Sequence, residues 1–164
     1  SFVFIGVLGL SRVEYGLLLS SMSGVYILGT LLCRRLLPRF AVRGSVAIGG
    51  ALSLLGGAWM LCAAYLGWHS VASLMAPYYL FVLAHGIHQP CGQSGAVGPF
   101  PHAAGAASAL GGFSMMAVAF IMGMWLGAHV DGTLFPMVQG IAFWSLCTAL
   151  TAWILVRRYG GPSV

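Results

Sequence analysis

The stretch SVAIGGALSLLGGAWMLCAAYLGW, residues 45–68, contains no charged side chain. It exceeds the roughly 20 residues that a helix needs to cross a hydrocarbon layer about 30 Å thick. In lipid every backbone polar group needs a partner within the protein, and a helix supplies these partners within one segment. The stretch therefore predicts a transmembrane helix.

The whole chain has the same character. Of its 164 residues, 60% are hydrophobic and 5% are charged, and the mean hydropathy is +0.96. A soluble domain has about 25% charged residues, and a disordered chain is poor in apolar residues. Both classes are excluded. The basic residues are seven arginines in short gaps between apolar runs, which does not form the basic face needed for nucleic-acid binding.

Five apolar stretches predict full membrane spans, at 15–33, 45–68, 72–98, 103–129 and 134–156. Residues 1–10 form a shorter apolar run that we interpret as the end of a truncated helix. The connections are short, at Pro38 with its arginines, 67–70, 99–101 and 130–133, so residues 1–164 form one unit. The predicted fold is an all-α integral membrane bundle of five full helices plus a truncated one.

Arginine placement predicts the orientation of this bundle. Short cytoplasmic loops carry the excess of basic residues in membrane proteins. Six arginines lie on one predicted side, either between the first two spans or after the last, and Arg12 lies on the other. This places the C-terminus in the cytoplasm and Asp131 outside.

The third full span holds most of the polar side chains expected at membrane depth. Such groups usually face a bundle interior or an aqueous cavity. At 100° per residue they share one helical face, and we predict that they line a substrate cavity: Tyr78, Phe81, His85, His88, Gln89 and Gln93. Pro90 removes a backbone donor and crowds the carbonyl of Gly86, which predicts a kink.

Two other interpretations of this span stay open. The histidines and glutamines can hydrogen-bond neighbouring helices, or His85 and His88 can bind a metal or haem. Cys91 points away from both histidines on the helix, which weakens a tetrahedral site. The four cysteines lack the paired spacing of a zinc or redox motif, and we interpret them as unpaired thiols.

The fourth full span carries small residues at four-residue spacing, at Ala104, Ser108 and Gly112. Small side chains let membrane helices approach closely. We therefore predict a helix-packing face there.

Two segments carry a family resemblance. GTLLCRRLLPRFAVR, residues 29–43, resembles the cytoplasmic loop motif of the major facilitator superfamily, with a small residue followed by a basic cluster. The matching positions are Gly29, Arg34, Arg35, Arg39 and Arg43. HGIHQPCGQSGAVGPFP, residues 85–101, followed by AGAASAL, residues 104–110, resembles helices ten and eleven of the bicyclomycin and chloramphenicol resistance (Bcr/CflA) subfamily of drug/proton antiporters.

The resemblance implies that the chain is the C-terminal half of a transporter, from the end of helix seven through helix twelve. It implies alternating-access efflux of amphipathic small molecules across a bacterial inner membrane. The coupling ion would be the proton, with no other cofactor. The partners would be the lipid bilayer and an N-terminal half. No catalytic motif is found in the sequence, so an enzyme is not expected. The alternatives are a half-size transporter that pairs with itself and a membrane protein that binds a metal or haem through His85 and His88.

Overall fold

The computed structural model describes residues 2–129 and 131–159, and these are almost entirely helical. A π-helical turn, Phe2–Val7, precedes α1, Arg12–Tyr65. The next helix, α2, is Val71–Val97, and a 3₁₀ turn at Pro101–Ala103 leads into α3, Ala104–Ala128. The last long helix, α4, is Phe135–Leu150; it continues as a π-helix, Thr151–Val156, and ends in the short helix α5, Arg157–Tyr159. Ser1, Val130 and residues 160–164 belong to the predicted unit but lie outside the described residues.

Among the described residues, four helical segments are long and apolar enough to cross a membrane, as expected of an integral membrane protein. They are Arg12–Tyr65, Val71–Val97, Pro101–Ala128 and Phe135–Val156. The first two predicted spans both lie on α1, which has 54 residues. A straight helix of that length would measure about 80 Å, far more than the hydrocarbon thickness.

A break at Ala41 divides α1 into two arms. Ala41 has φ 52° and ψ −174°, which is not a helical conformation. We call residues 12–40 the first arm and residues 42–65 the second arm. At 1.5 Å per residue, the arms are about 43 and 36 Å long, so each is long enough to cross a bilayer.

Contacts with α2 show that the chain reverses direction at this break. Along the first arm, Ser21 Oγ lies 2.6 Å from Tyr79 Oη and Cys33 Sγ lies 3.6 Å from Cys91 Sγ, so this arm runs parallel to α2. Along the second arm, Gly56 faces Pro77 and Gly49 faces His88, so this arm runs antiparallel to α2. The two arms therefore form a helical hairpin.

The connection predicted at Pro38 is different in the structure. Residues 34–40 are helical, and the reversal takes place at Ala41 alone. Pro38 lacks the N–H that would bond one turn back, which weakens the helix just before the break. On the other side, the Ser45 hydroxyl donates to the Ala41 carbonyl oxygen at 2.7 Å. A proline and a serine thus flank a one-residue turn where a longer loop was expected.

Glycines let the second arm pack closely against two neighbouring helices. Gly49 and Gly56 face α2, whereas Gly50 and Gly57 face the region of α4 and its π-helical extension. A Cβ at Gly56 would lie 2.8 Å from the Pro77 carbonyl oxygen, and one at Gly50 would lie 2.9 Å from Ala152 Cβ. Glycine is needed at these positions because the helices approach too closely for a side chain.

The bundle has two chemically different ends. One end, which we call the arginine end, contains the Ala41 break, the connection 98–103 and the helix Arg157–Tyr159. Its buried cluster is Cys33, Val46, Ile87, Cys91 and Ala152. The opposite end, which we call the cavity end, contains Arg12 and the connections that join α1 to α2 and α3 to α4. Its buried cluster is Val3, Met60, Ala64, Leu74, Leu134 and Val138.

Candidate functional site: an aromatic cavity

A cavity of about 430 Å³ opens between the helices at the cavity end. Its walls come from the first π-helical turn, both arms of α1, and helices α2, α3 and α4. The lining side chains are mostly aromatic rings, methionines and aliphatic groups, and none of the described lining residues is charged. They include Phe4, Tyr15, Met22, Tyr78, Phe81, Met122, Trp125, Met137 and Trp144.

Aromatic contacts fix the shape of the cavity wall. The Phe4 and Tyr15 ring centroids are 6.1 Å apart, and the Tyr78 and Phe81 rings stack at the same separation. Trp144 packs edge-to-face against its neighbour Phe143 at 5.6 Å. Such offset and edge-to-face pairs hold large rings in defined orientations. The wall is therefore built largely of aromatic rings held against one another.

A second hollow of about 440 Å³ adjoins the cavity between α3 and α4. The two hollows share Met122, Trp125, Gly140 and Trp144. Gln139 also lines the second hollow, and its Nε2 donates to Tyr65 Oη at 3.3 Å. The combined space offers a long apolar surface with a few polar groups, which is typical of small-molecule sites.

Hydrogen bonds between Ser11 and Glu14 cap the start of α1 at the rim of the cavity. The Ser11 N–H donates to Glu14 Oε2 at 2.8 Å, and the Glu14 N–H donates to Ser11 Oγ at 3.2 Å. This reciprocal pair is a capping box, which starts the helix at Arg12. It positions Tyr15, one residue later, at the cavity wall.

A turn at Asp131 precedes α4 on the same rim. The Thr133 hydroxyl and backbone N–H donate to Asp131 Oδ1 at 2.7 and 2.9 Å. The hydroxyl is the larger cause that holds the pKa of Asp131 below its ordinary value, and the N–H adds to it. Asp131 is therefore a structural carboxylate of the turn, with Thr133 as its donor.

The structure distributes the six predicted cavity residues among different neighbours. Tyr78 and Phe81 line the cavity. The Nε2 atoms of Gln89 and Gln93 lie 4.0 and 3.9 Å from the Met115 sulfur, so both amides face α3. The six residues therefore do not form one site: Tyr78 and Phe81 share the cavity wall, whereas Gln89 and Gln93 share a contact with Met115.

The two histidines face different arms of α1. The His85 ring lies 5.8 Å from the Tyr26 ring of the first arm and is exposed. The His88 ring packs against Gly49 of the second arm, where an added Cβ would lie 2.9 Å from Cε1. Its Nε2 is buried and has no hydrogen-bond partner within the described residues. Over the described ranges, no group of three His, Cys, Asp or Glu side chains surrounds a common point.

The predicted kink and packing positions also have defined surroundings. Helix α2 is continuous through Pro90, and Gly86 forms a close crossing with Gly29 of the first arm. Gly29 is therefore buried where the first arm contacts α2.

The packing face predicted on α3 has no close neighbour at Gly112. A Cβ at Gly112 would meet nothing within 4 Å in the described part of the chain, and no residue of α3 is buried. Packing at Ala104, Ser108 and Gly112 therefore stays a prediction.

Sequence reasoning missed most of the cavity wall. Tyr15 and Trp125 sit near helix ends, where aromatic residues usually mark the membrane interface. Trp144 lies in a different predicted span from the polar cluster at 85–93. A periodicity argument works within one helix, whereas this wall is assembled from residues of six segments.

The comparisons with known proteins add no assignment. No family model, curated protein or solved structure matches this chain.

Proposed function

We propose that the chain is the C-terminal helical half of a proton-driven exporter of amphipathic small molecules in a bacterial inner membrane. The observation that carries this proposal is the aromatic cavity at the cavity end. Its volume of about 430 Å³ lies within the range of small-molecule sites. Its lining of rings and methionines suits apolar and aromatic compounds of varied shape, because methionine adapts readily to different partners.

The helix arrangement supports the same proposal. The two arms of α1 with α2, α3 and α4 give five helical passes that alternate in direction along the chain, and the turn at Ala41 joins the first two. With arginines concentrated at one end, this arrangement fits a membrane protein whose arginine end faces the cytoplasm. The cavity would then lie toward the outer side. The resemblance in residues 29–43 and 85–110 supplies the expectation of an N-terminal half and of proton coupling.

A binding experiment tests the cavity. The purified chain in lipid nanodiscs is titrated with radiolabelled chloramphenicol, a neutral amphipathic aromatic compound, and bound label is counted after rapid separation. Phe81→Ala, at the cavity wall, should weaken binding by roughly tenfold, since a buried aromatic contact contributes about 1.5 kcal/mol or more. Phe120→Ala is the matched control, because Phe120 is 68% exposed on α3 and does not line the cavity. Equal effects of the two substitutions would contradict the assignment.

A transport experiment tests the function itself. Inverted membrane vesicles from cells expressing the protein are given a proton gradient, and uptake of the same compound is followed with and without a protonophore. We expect uptake that collapses with the gradient when the partner half is present. Uptake that ignores the protonophore would contradict proton coupling, and uptake by the chain alone would favour the self-pairing half-size transporter.

A further inference from the structure

Two cysteines from different helices meet at the arginine end. Cys33 lies on the first arm of α1 and Cys91 on α2, and their sulfur atoms are 3.6 Å apart. The side chains are 1% and 4% exposed and belong to the buried cluster at this end. Both are free thiols in the structure, as are Cys62 and Cys147. This pairing was not predictable from the sequence, because 58 positions separate the two residues.

A glycine crossing explains why the two sulfurs are so close. One turn before the cysteines, a Cβ at Gly86 would lie 2.8 Å from Gly29 Cα and 2.5 Å from the Tyr26 carbonyl oxygen. The two backbones are therefore in contact at this level. Because the first arm and α2 run parallel, Cys33 and Cys91 follow the crossing on the same side. Backbone packing, which does not depend on flexible side chains, holds the sulfurs near each other.

The pair is buried within the helix packing, with 1% of Cys33 and 4% of Cys91 exposed. Its described neighbours in the cluster are apolar, including Val46, Ile87 and Ala152. Any oxidant reaches the sulfurs only when the packed helices separate transiently, and an apolar oxidant dissolved in the bilayer enters such apolar packing at a lower cost than a charged one does. Membrane quinones have the required solubility and accept two electrons with two protons.

We propose that Cys33 and Cys91 are a site of oxidation by a lipid-soluble quinone, which joins the first arm of α1 to α2 through a disulfide. Two S–H bonds break and one S–S bond forms. The two electrons and two protons that leave the thiols pass to the quinone, which becomes the quinol. The sulfurs need to approach from 3.6 Å to the disulfide distance of about 2 Å. This proposal is independent of the transport function.

The test uses the full chain in lipid nanodiscs under anaerobic conditions, with a fully substituted benzoquinone that carries a decyl chain. Remaining thiols are alkylated in denaturant, and the digested protein is mapped by mass spectrometry. We expect two of the four thiols to disappear per chain, one quinol to form, and a linked peptide to join Cys33 to Cys91. Dithiothreitol should restore both thiols.

Variants separate this pair from the other cysteines. Cys91→Ser should abolish quinone-dependent thiol loss, whereas the double variant Cys62→Ser, Cys147→Ser should retain the link. Peptide mapping of the unsubstituted chain decides the matter even if Cys91→Ser does not fold. Retention of all four thiols would overturn the proposal, as would a link involving Cys62 or Cys147, or a quinone adduct in place of the disulfide.

Discussion

Replacing Gly86 with alanine tests the close backbone crossing of α2 with the first arm of α1. An added Cβ would lie 2.5 Å from the Tyr26 carbonyl oxygen and 2.8 Å from Gly29 Cα. These atoms belong to the backbone, so no side chain can rotate away and the two helices have to separate. Overpacking lowers the free energy of unfolding by about 1–3 kcal/mol. Because the obstructing atoms are backbone atoms, we expect a loss of about 3 kcal/mol here. The higher helix propensity of alanine offsets about 1 kcal/mol of this loss in the free energy of unfolding. The net loss is about 2 kcal/mol, or roughly 30-fold in the folding equilibrium.

Gly92→Ala provides the matched control on the same helix. A Cβ at Gly92 meets nothing within 4 Å in the described part of the chain, so only the propensity gain applies. Unfolding by SDS in mixed micelles, followed by circular dichroism, measures both variants. We expect Gly86→Ala to unfold at lower SDS than the unsubstituted protein and Gly92→Ala to unfold at the same or higher SDS. Indistinguishable curves would refute the close crossing of the first arm with α2.

Three further outcomes can be checked separately. Ala41→Gly should stabilise the protein by about 1 kcal/mol in the same SDS titration, because its φ of 52° strains a side-chain-bearing residue; a loss of stability would contradict the one-residue turn. In a background without native cysteines, an impermeant thiol reagent added to intact cells should label His69→Cys but not Arg39→Cys, and the reverse pattern would invert the topology. Thr133→Val should raise the pKa of Asp131 toward its ordinary value, since the hydroxyl donor is lost; an unchanged carboxyl titration by NMR would argue against that bond. Any stability from this turn should be present above the ordinary aspartate pKa and decrease as the pH falls through the lower folded-state pKa.

The sequence predicts the helices well because their signal is local. A long uncharged run such as 45–68 can satisfy its backbone in lipid only as a helix, and the structure has a helix at each of the five predicted stretches. The form of the first connection was not predictable in the same way. Pro38 and four neighbouring arginines are typical of a loop, whereas the structure continues the helix to residue 40 and reverses at Ala41. A turn of one residue is too short to show the polar, glycine-rich or proline-rich composition by which a loop is recognised in a sequence.

The candidate site was predictable only in part. Tyr78 and Phe81 were found because they share a helical face with polar residues, and both line the cavity. The contacts of Gln89, Gln93 and the two histidines depend on which helix stands opposite each one. That information comes from the order of helices around the bundle, which the periodicity of a single span does not contain.

The glycines, more than the polar residues, determine which helices pack against each other. Gly49 and Gly56 are seven residues apart, or nearly two helical turns, so they open one continuous groove for α2, and Gly50 with Gly57 opens a second groove beside it. Adjacent glycines thus let the second arm receive helices on two sides. The Gly29–Gly86 crossing brings the first arm against α2 between the aromatic cavity and the cysteine pair. Because the backbones touch there, a change in the separation of these two helices alters both places: the position of Tyr78 and Phe81 at one end, and the distance between Cys33 and Cys91 at the other.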